Sequence, residues 1–218
     1  LLRLGPSLGR LRLVLFVLLL PILPILTMVV AVVAFEPLGL RVVSWWLLTI
    51  LGGLLLGDWR GGTAFLLRLA FSGVALGIVL QVAGYLPEIS TYPLSLGWSE
   101  TSRYYNASLF FARSIYGEAV PPPVLHPSRY LMQAVPFIFG TLPLWVHRLW
   151  QVLLWIGVTL GFALTLARRV GIRSPLERAV LAGASYLFLM QGPVYYHLLV
   201  SAWLVLAIAA PQRPWRTL

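Results

Sequence analysis

The chain has no cysteine and no lysine. Without cysteine it can form no internal disulfide, use no thiol nucleophile and hold no iron–sulfur cluster on its own thiolates. Without lysine it can have neither a phosphate-loop lysine nor a lysine Schiff base. Walker, GxSxG and zinc-ligand spacings are missing too. Charge is scarce: charged residues make up 10% of the 218, and only six are acidic. A soluble domain of this length could not cover a 60% hydrophobic composition with so few charges. Mean hydropathy is +0.89, and several nearly uncharged runs approach or exceed the roughly 20 residues that cross a bilayer core. The fold class expected is all-α, a polytopic helical membrane protein.

The net charge of +10 comes from sixteen basic residues, every one an arginine. They stand mostly at the ends of apolar segments, which is the pattern of membrane topology rather than of a phosphate-tracking stripe. No nucleic-acid partner is expected. The lysine-free composition points to GC-rich coding and a bacterial cytoplasmic (inner) membrane. The chain begins without Met and stops at PQRPWRTL soon after an apolar run, so it reads as the N-terminal fragment of a longer protein, a single transmembrane domain over residues 1–218.

About six spans are expected, over residues 11–35, 42–57, 63–86, 144–167, 176–190 and 194–210. The first is too long, and lacks the small-residue cleavage signature, for a signal peptide; Pro21 and Pro24 should kink it. Arg3, Arg10, Arg12, Arg60, Arg68, Arg168, Arg169, Arg173, Arg178, Arg213 and Arg216 fall on one side, and Arg41, Arg103, Arg113, Arg129 and Arg148 on the other. This split of eleven against five puts the N-terminus in the cytoplasm and the long 87–142 section outside.

That section reads as an outer-surface loop containing two interfacial helices. Trp98–Tyr116 has no Gly or Pro, and a helical projection puts Ser99, Ser102, Asn106 and Arg113 on one narrow stripe. Tyr104, Tyr105, Ser108, Phe111, Ala112, Ile115 and Tyr116 cover the other side, as suits a helix lying along the membrane. The prolines of GEAVPPPVLHPSRY make a stiff spacer. Pro127 can open a second short helix, expected over Arg129–Phe139.

Glu100 is the candidate catalytic residue. It sits on the apolar border of the first interfacial helix, where a carboxylate is costly unless paired, and Arg103 one turn on can pair with it. The competing reading is an ion pair that only anchors the helix. Arg129 can hold a lipid phosphate in bidentate fashion, or bind bulk lipid phosphate, or cap a helix. His126, before Pro127, can move a proton or cap the second helix. His147 and His197 invite a haem reading, but single membrane histidines usually hydrogen-bond a neighbouring helix. Glu36, Asp58 and Glu177 lie in turns at span ends, where solvation explains them. Asn106-Ala107-Ser108 fits the glycosylation pattern, discounted for a bacterial chain. No cofactor is implied, and the scattered carboxylates give no metal site, although a divalent cation stays open.

The third span leads into YLPEISTYPLSLGWSETSRYYNASLFFARSIYG and then VLHPSRYLMQAVPF. This layout over roughly residues 70–210 resembles the GT-C superfamily of membrane glycosyltransferases, which use polyprenyl-phosphate sugars. In that superfamily a span leads into a large extracytoplasmic loop with an acidic residue near its start and two helices lying on the membrane. Glu100 stands where the family's acidic residue would. The usual Asp or acidic pair is replaced here by Ser99-Glu100, and the loop follows the third span rather than the first. The resemblance implies transfer of a sugar from a polyprenyl-phosphate donor to an extracytoplasmic acceptor, with Glu100 as general base and Arg129, with Arg103, on the departing phosphate. Tyr104 and His126 would join these as substrate-binding residues. Membrane lipids and a lipid-linked sugar donor are then the expected partners. Two rival readings stay open, a non-catalytic membrane scaffold and a transporter or flippase subunit. The latter should show broken helices with polar residues at mid-membrane, where Gln81, Gln151 and Gln191 are the main candidates and none is ionisable.

Overall fold

A computed structural model describes residues 6–33, 37–92, 96, 99–191 and 196–209. Glu36, Trp98, Arg3, Arg213, Arg216 and the far ends of the first and sixth expected spans lie outside the described residues. Every regular element among those described is helical: α1 (Pro6–Leu19), α2 (Ile22–Val33), α3 (Pro37–Leu56), α4 (Thr63–Gly84), α5 (Glu100–Ser108), α6 (Ala112–Tyr116), α7 (Pro127–Gln133), α8 (Leu144–Arg169), α9 (Pro175–Met190) and α10 (Tyr196–Ile208). Gly9–Val29, Leu38–Leu56, Thr63–Gly84 and Leu144–Arg169 are long and apolar enough to cross a membrane, at 21, 19, 22 and 26 residues. At about 1.5 Å per residue each matches or exceeds a hydrocarbon core of about 30 Å. These four helices mark an integral membrane protein. Helices α9 and α10 fall where the fifth and sixth spans are expected, but at 16 and 13 residues they are shorter than the four span-length helices.

The chain divides into two compact units. The first holds residues 1–84 and 166–191, with α3 and α4 at its centre; α1 and α2 pack on α3, and α9 on α4. The first span breaks at Leu20–Pro21, as the prolines require. Pro21 has no N–H to give the Val17 carbonyl, and the Leu20 N–H takes that carbonyl at 3.3 Å instead. Helix α3 turns Thr49, Gly52 and Gly53 inward and Leu47, Ile50, Leu51 and Leu54 outward. This inversion is economical only in lipid, where large side chains gain nothing by leaving the solvent and small ones let backbones approach. A Cβ on Gly53 would stand 3.3 Å from the Cα of Leu69, and the Gly73 carbonyl accepts the Trp45 indole N–H at 3.2 Å. Leu19, Leu23 and Leu76 form the buried centre. Ser174 caps α9 by accepting the Glu177 N–H at 3.4 Å, with Pro175 in the first helical position. Asp58 likewise caps a short 3₁₀ turn by accepting the Arg60 N–H at 3.2 Å.

The second unit holds residues 85–165 and 192–211. The first expected interfacial helix appears as α5, a 3₁₀ turn over Leu109–Phe111, and α6, ending at Gly117 with φ 78°. Ser99, Ser102 and Arg113 of its stripe are exposed and Asn106 half-exposed, whereas Ala107, Ser108, Leu109 and Ala112 are buried. The second is shorter than the sequence suggests: α7 stops at Gln133 and a 3₁₀ turn runs Val135–Phe139. Pro136 is the reason, since it cannot donate to the Met132 carbonyl. The Trp150 indole of α8 donates to that carbonyl at 2.8 Å. Trp150 and Met132 then pack around Leu154, Val158 and Tyr196, joining α7, α8 and α10.

Candidate functional site

Helix α8 carries His147, Arg148 and Gln151, all buried, in its first two turns. A guanidinium in such a place needs partners for five N–H donors. Arg148 finds them on two elements. Its Nε donates to Glu100 Oε1 at 2.6 Å and its Nη2 to Glu100 Oε2 at 3.0 Å, a bidentate ion pair. Its Nη1 and Nη2 also donate to the carbonyls of Ser90 and Tyr92, and Nη1 lies 3.4 Å from Ser90 Oγ. Arg148 is fully buried and Glu100 3% exposed. All five donors are engaged.

This corrects the pairing expected from helical spacing. Arg103 does not hold Glu100; its Nη2 donates to the Leu96 carbonyl at 2.7 Å and its Nε to the Ser99 carbonyl at 3.3 Å. Those carbonyls lie at the entry to α5, which Arg103 ties down from the first turn. The carboxylate is left to the better-matched fork of Arg148. Burial above all, and then the charge of Arg129, lowers the Arg103 pKa, while the Glu100 charge opposes this.

Glu100 and Arg148 open on a cleft of about 430 Å³, lined also by Thr101, Tyr104, Tyr105, Ser108, Tyr116, Phe137 and Leu144. The size lies within the usual range of about 300–1,000 Å³ for small-molecule sites. The Tyr104 hydroxyl is buried and, among the described residues, lacks a partner at hydrogen-bond geometry. It is close enough to feel the Glu100 carboxylate: burial first, and that negative charge next, raise its pKa well above the ordinary value. Tyr104 therefore stays a neutral hydroxyl, with the Glu100 carboxylate as the acceptor beside it. Its ring leans on His147 at 5.6 Å between centroids, and Phe137 closes the other side of that imidazole at 4.3 Å. Tyr105 and Tyr116 face each other at 6.5 Å, and the Tyr116 hydroxyl meets Ser108 Oγ at 2.6 Å.

The remaining sequence candidates gather around α7. Arg129 is half-buried and stands beside Tyr196, with Arg103 and His197 within reach of its charge. His126 is the capping residue of α7, but its carbonyl does the capping, accepting the Arg129 N–H at 3.0 Å. Its φ of 52° is left-handed, which costs a non-glycine residue energy, and its ring packs edge-on against His197 at 5.9 Å. Gln133 donates to Gln151 in the buried layer beneath.

The fold thus places Glu100 and Tyr104 in one cleft, with Arg129 near Arg103 and His126 against His197, and the charge of Arg103 reaches Glu100. Sequence reasoning missed Arg148, counting it among the flanking arginines. The signal was its place past the first turn of a long apolar helix, where a charge needs a dedicated partner. Among the described residues no group of three His, Asp or Glu could hold a metal ion. No family model, no curated protein and no solved structure matches the chain.

Proposed function

We propose that the chain is a membrane glycosyltransferase of the GT-C type, moving a sugar from a polyprenyl-phosphate donor to an acceptor outside the bacterial cytoplasmic membrane. On this reading about six spans cross the bilayer, the N-terminus is cytoplasmic and residues 87–142 face out. The observation that carries it is a buried carboxylate, Glu100, on the wall of a tyrosine-lined cleft, with Arg103 and Arg129 as a separate pair of cations nearby. In the proposed reaction the acceptor hydroxyl oxygen bonds to the anomeric carbon and its proton passes to Glu100. The carbon–phosphate oxygen bond breaks, and polyprenyl phosphate leaves with that electron pair, with inversion at the anomeric carbon. Each Glu100 oxygen takes one N–H from Arg148 and can accept a second hydrogen bond, so the pairing leaves room for an acceptor hydroxyl. Arg129 and Arg103 would stabilise charge on the departing phosphate.

The same ion pair favours a second reading, a non-catalytic scaffold, because the saturated Arg148 ties α5 and the Ser90–Tyr92 turn to α8. The experiment that separates them supplies the full chain in proteoliposomes with radiolabelled polyprenyl-phosphate sugars. Transfer by the wild type that collapses in a well-assembled Glu100→Gln variant supports the transferase. Equal transfer by both removes Glu100 from the chemistry. No transfer from any donor leaves the scaffold ahead.

A further inference from the structure

The hydrogen-bonding inventory of the cleft is lopsided. Ser108 donates its single proton to the Tyr105 carbonyl at 2.7 Å, so the 2.6 Å bond between Ser108 and Tyr116 must be donated by Tyr116. The Tyr116 oxygen then faces a ligand as an acceptor. The Glu100 oxygens each have accepting capacity left and cannot donate. Arg148 contributes nothing, because its donors go to Glu100, Ser90 and Tyr92. What remains to donate are the hydroxyls of Tyr104, which lies beside the Glu100 carboxylate, and of the exposed Thr101 and Tyr105. A ligand for this cleft must therefore bring donors of its own. An anionic oxygen would find three neutral hydroxyls but no free cation, with the Glu100 carboxylate and the Tyr116 acceptor beside it. Above this floor Tyr105 and Tyr116 are 54% and 48% exposed, with ring planes 49° apart. They offer partly open aromatic faces to C–H groups.

From this inventory we infer that the cleft binds an uncharged, hydroxyl-rich sugar ring and selects against sugars carrying a negative charge. The ring hydroxyls donate to Glu100 and Tyr116 and accept from Tyr104, and the C–H faces lie on Tyr105 and Tyr116. This rests on the transferase reading in taking the cleft as the place where sugar is handled, and it adds the charge class of that sugar.

The test uses the protein in nanodiscs and pairs of probes differing only at C6, methyl hexopyranosides of the gluco, galacto and manno series and the matching methyl hexuronides. Saturation-transfer NMR titrations measure the affinities. At least one neutral glycoside should bind at least about tenfold more tightly than its uronide, because the acceptor-rich floor leaves a carboxylate unpaired. Tyr105→Ala, at a position 54% exposed, should weaken that binding about fivefold or more. Trp59→Ala, which removes an exposed aromatic outside the cleft, should not. Uronides binding as well as the neutral sugars, an unchanged Tyr105→Ala, or no binding by any probe would each overturn the inference. Donor assays keep the two readings apart. Selective neutral-sugar binding without transfer from any polyprenyl-phosphate donor sinks the transferase and leaves the sugar site. Transfer without charge selectivity does the reverse.

Discussion

Consider removing one charge from the Glu100–Arg148 pair. Glu100→Gln leaves a buried guanidinium facing a neutral amide that still offers one acceptor oxygen. Breaking a buried pair from one side costs about 3–5 kcal/mol, and the remaining acceptor sets the expectation at the low end, about 3 kcal/mol. Arg148→Met should cost more. It strands the carboxylate and also removes the donors of the part-buried Ser90 and Tyr92 carbonyls, hydrogen bonds worth about 0.5–1.5 kcal/mol each. The double variant has no orphaned charge and keeps the carbonyl deficit and a buried neutral amide at position 100. It should therefore be more stable than Arg148→Met alone by about 3–5 kcal/mol. A second substitution that rescues the first is a sign no exposed pair would give, because exposed pairs are worth only about 0–1 kcal/mol.

The assay is reversible unfolding in mixed detergent micelles, followed by tryptophan emission, since Trp150 and Trp155 pack into the core of the same unit. Helical circular dichroism reports whether each variant assembles. If Glu100→Gln costs under about 1 kcal/mol, or if the double variant is no more stable than Arg148→Met, the pair is solvated and the burial argument fails.

Two further outcomes follow from packing and titration. A Cβ at Gly183 of α9 would overlap the stiff side chain of Val74 on α4, whereas one at Gly157 of α8 would meet nothing within 4 Å. Gly183→Ala should destabilise by about 1–2 kcal/mol, overpacking outweighing the gain in helix propensity, while Gly157→Ala should gain up to about 1 kcal/mol; thermal unfolding of both in one detergent decides it, and equal effects would refute the close helix contact. Tyr104 gives a pH signature. Its pKa is raised in the folded state by burial first and by Glu100 next, so its contribution is complete below the unfolded value near pH 10 and declines as pH rises above it. Unfolding free energies measured at about pH 9 and about pH 11 should fall less steeply in Tyr104→Phe than in the wild type, and identical slopes would refute the raised pKa.

Features set by local chemistry were legible in the sequence. The break at Pro21, the helix opening at Pro127 and the exposed Ser99–Ser102 edge depend on residues within a turn or two of one another. Partners fixed by tertiary approach were not legible. Spacing nominates Arg103 for Glu100, since residues three apart share a helix face, but the observed partner lies 48 positions away. Pro136 shows the same limit from the other side. Its missing N–H forecasts a broken helix, but nothing local says that Trp150 will cover the freed Met132 carbonyl.

The saturation of Arg148 also divides the labour on the proposed reading. A guanidinium with no free donor cannot grip a phosphate without giving up Glu100 or a backbone carbonyl, and each surrender uncovers a buried polar group. Charge neutralisation on a leaving phosphate must then come from Arg129 and Arg103. Arg103 spends two donors on Leu96 and Ser99, and Arg129 lies near enough to lower its pKa. Two guanidiniums held within reach of each other repel, a cost that an anion between them would turn into attraction. The cleft beside Glu100 has the opposite character, a neutral floor rich in acceptors. On the proposed reading the charged end of a donor and its hydroxyls would lie in separate places, with Glu100, whose charge reaches Arg103, at the border between the two.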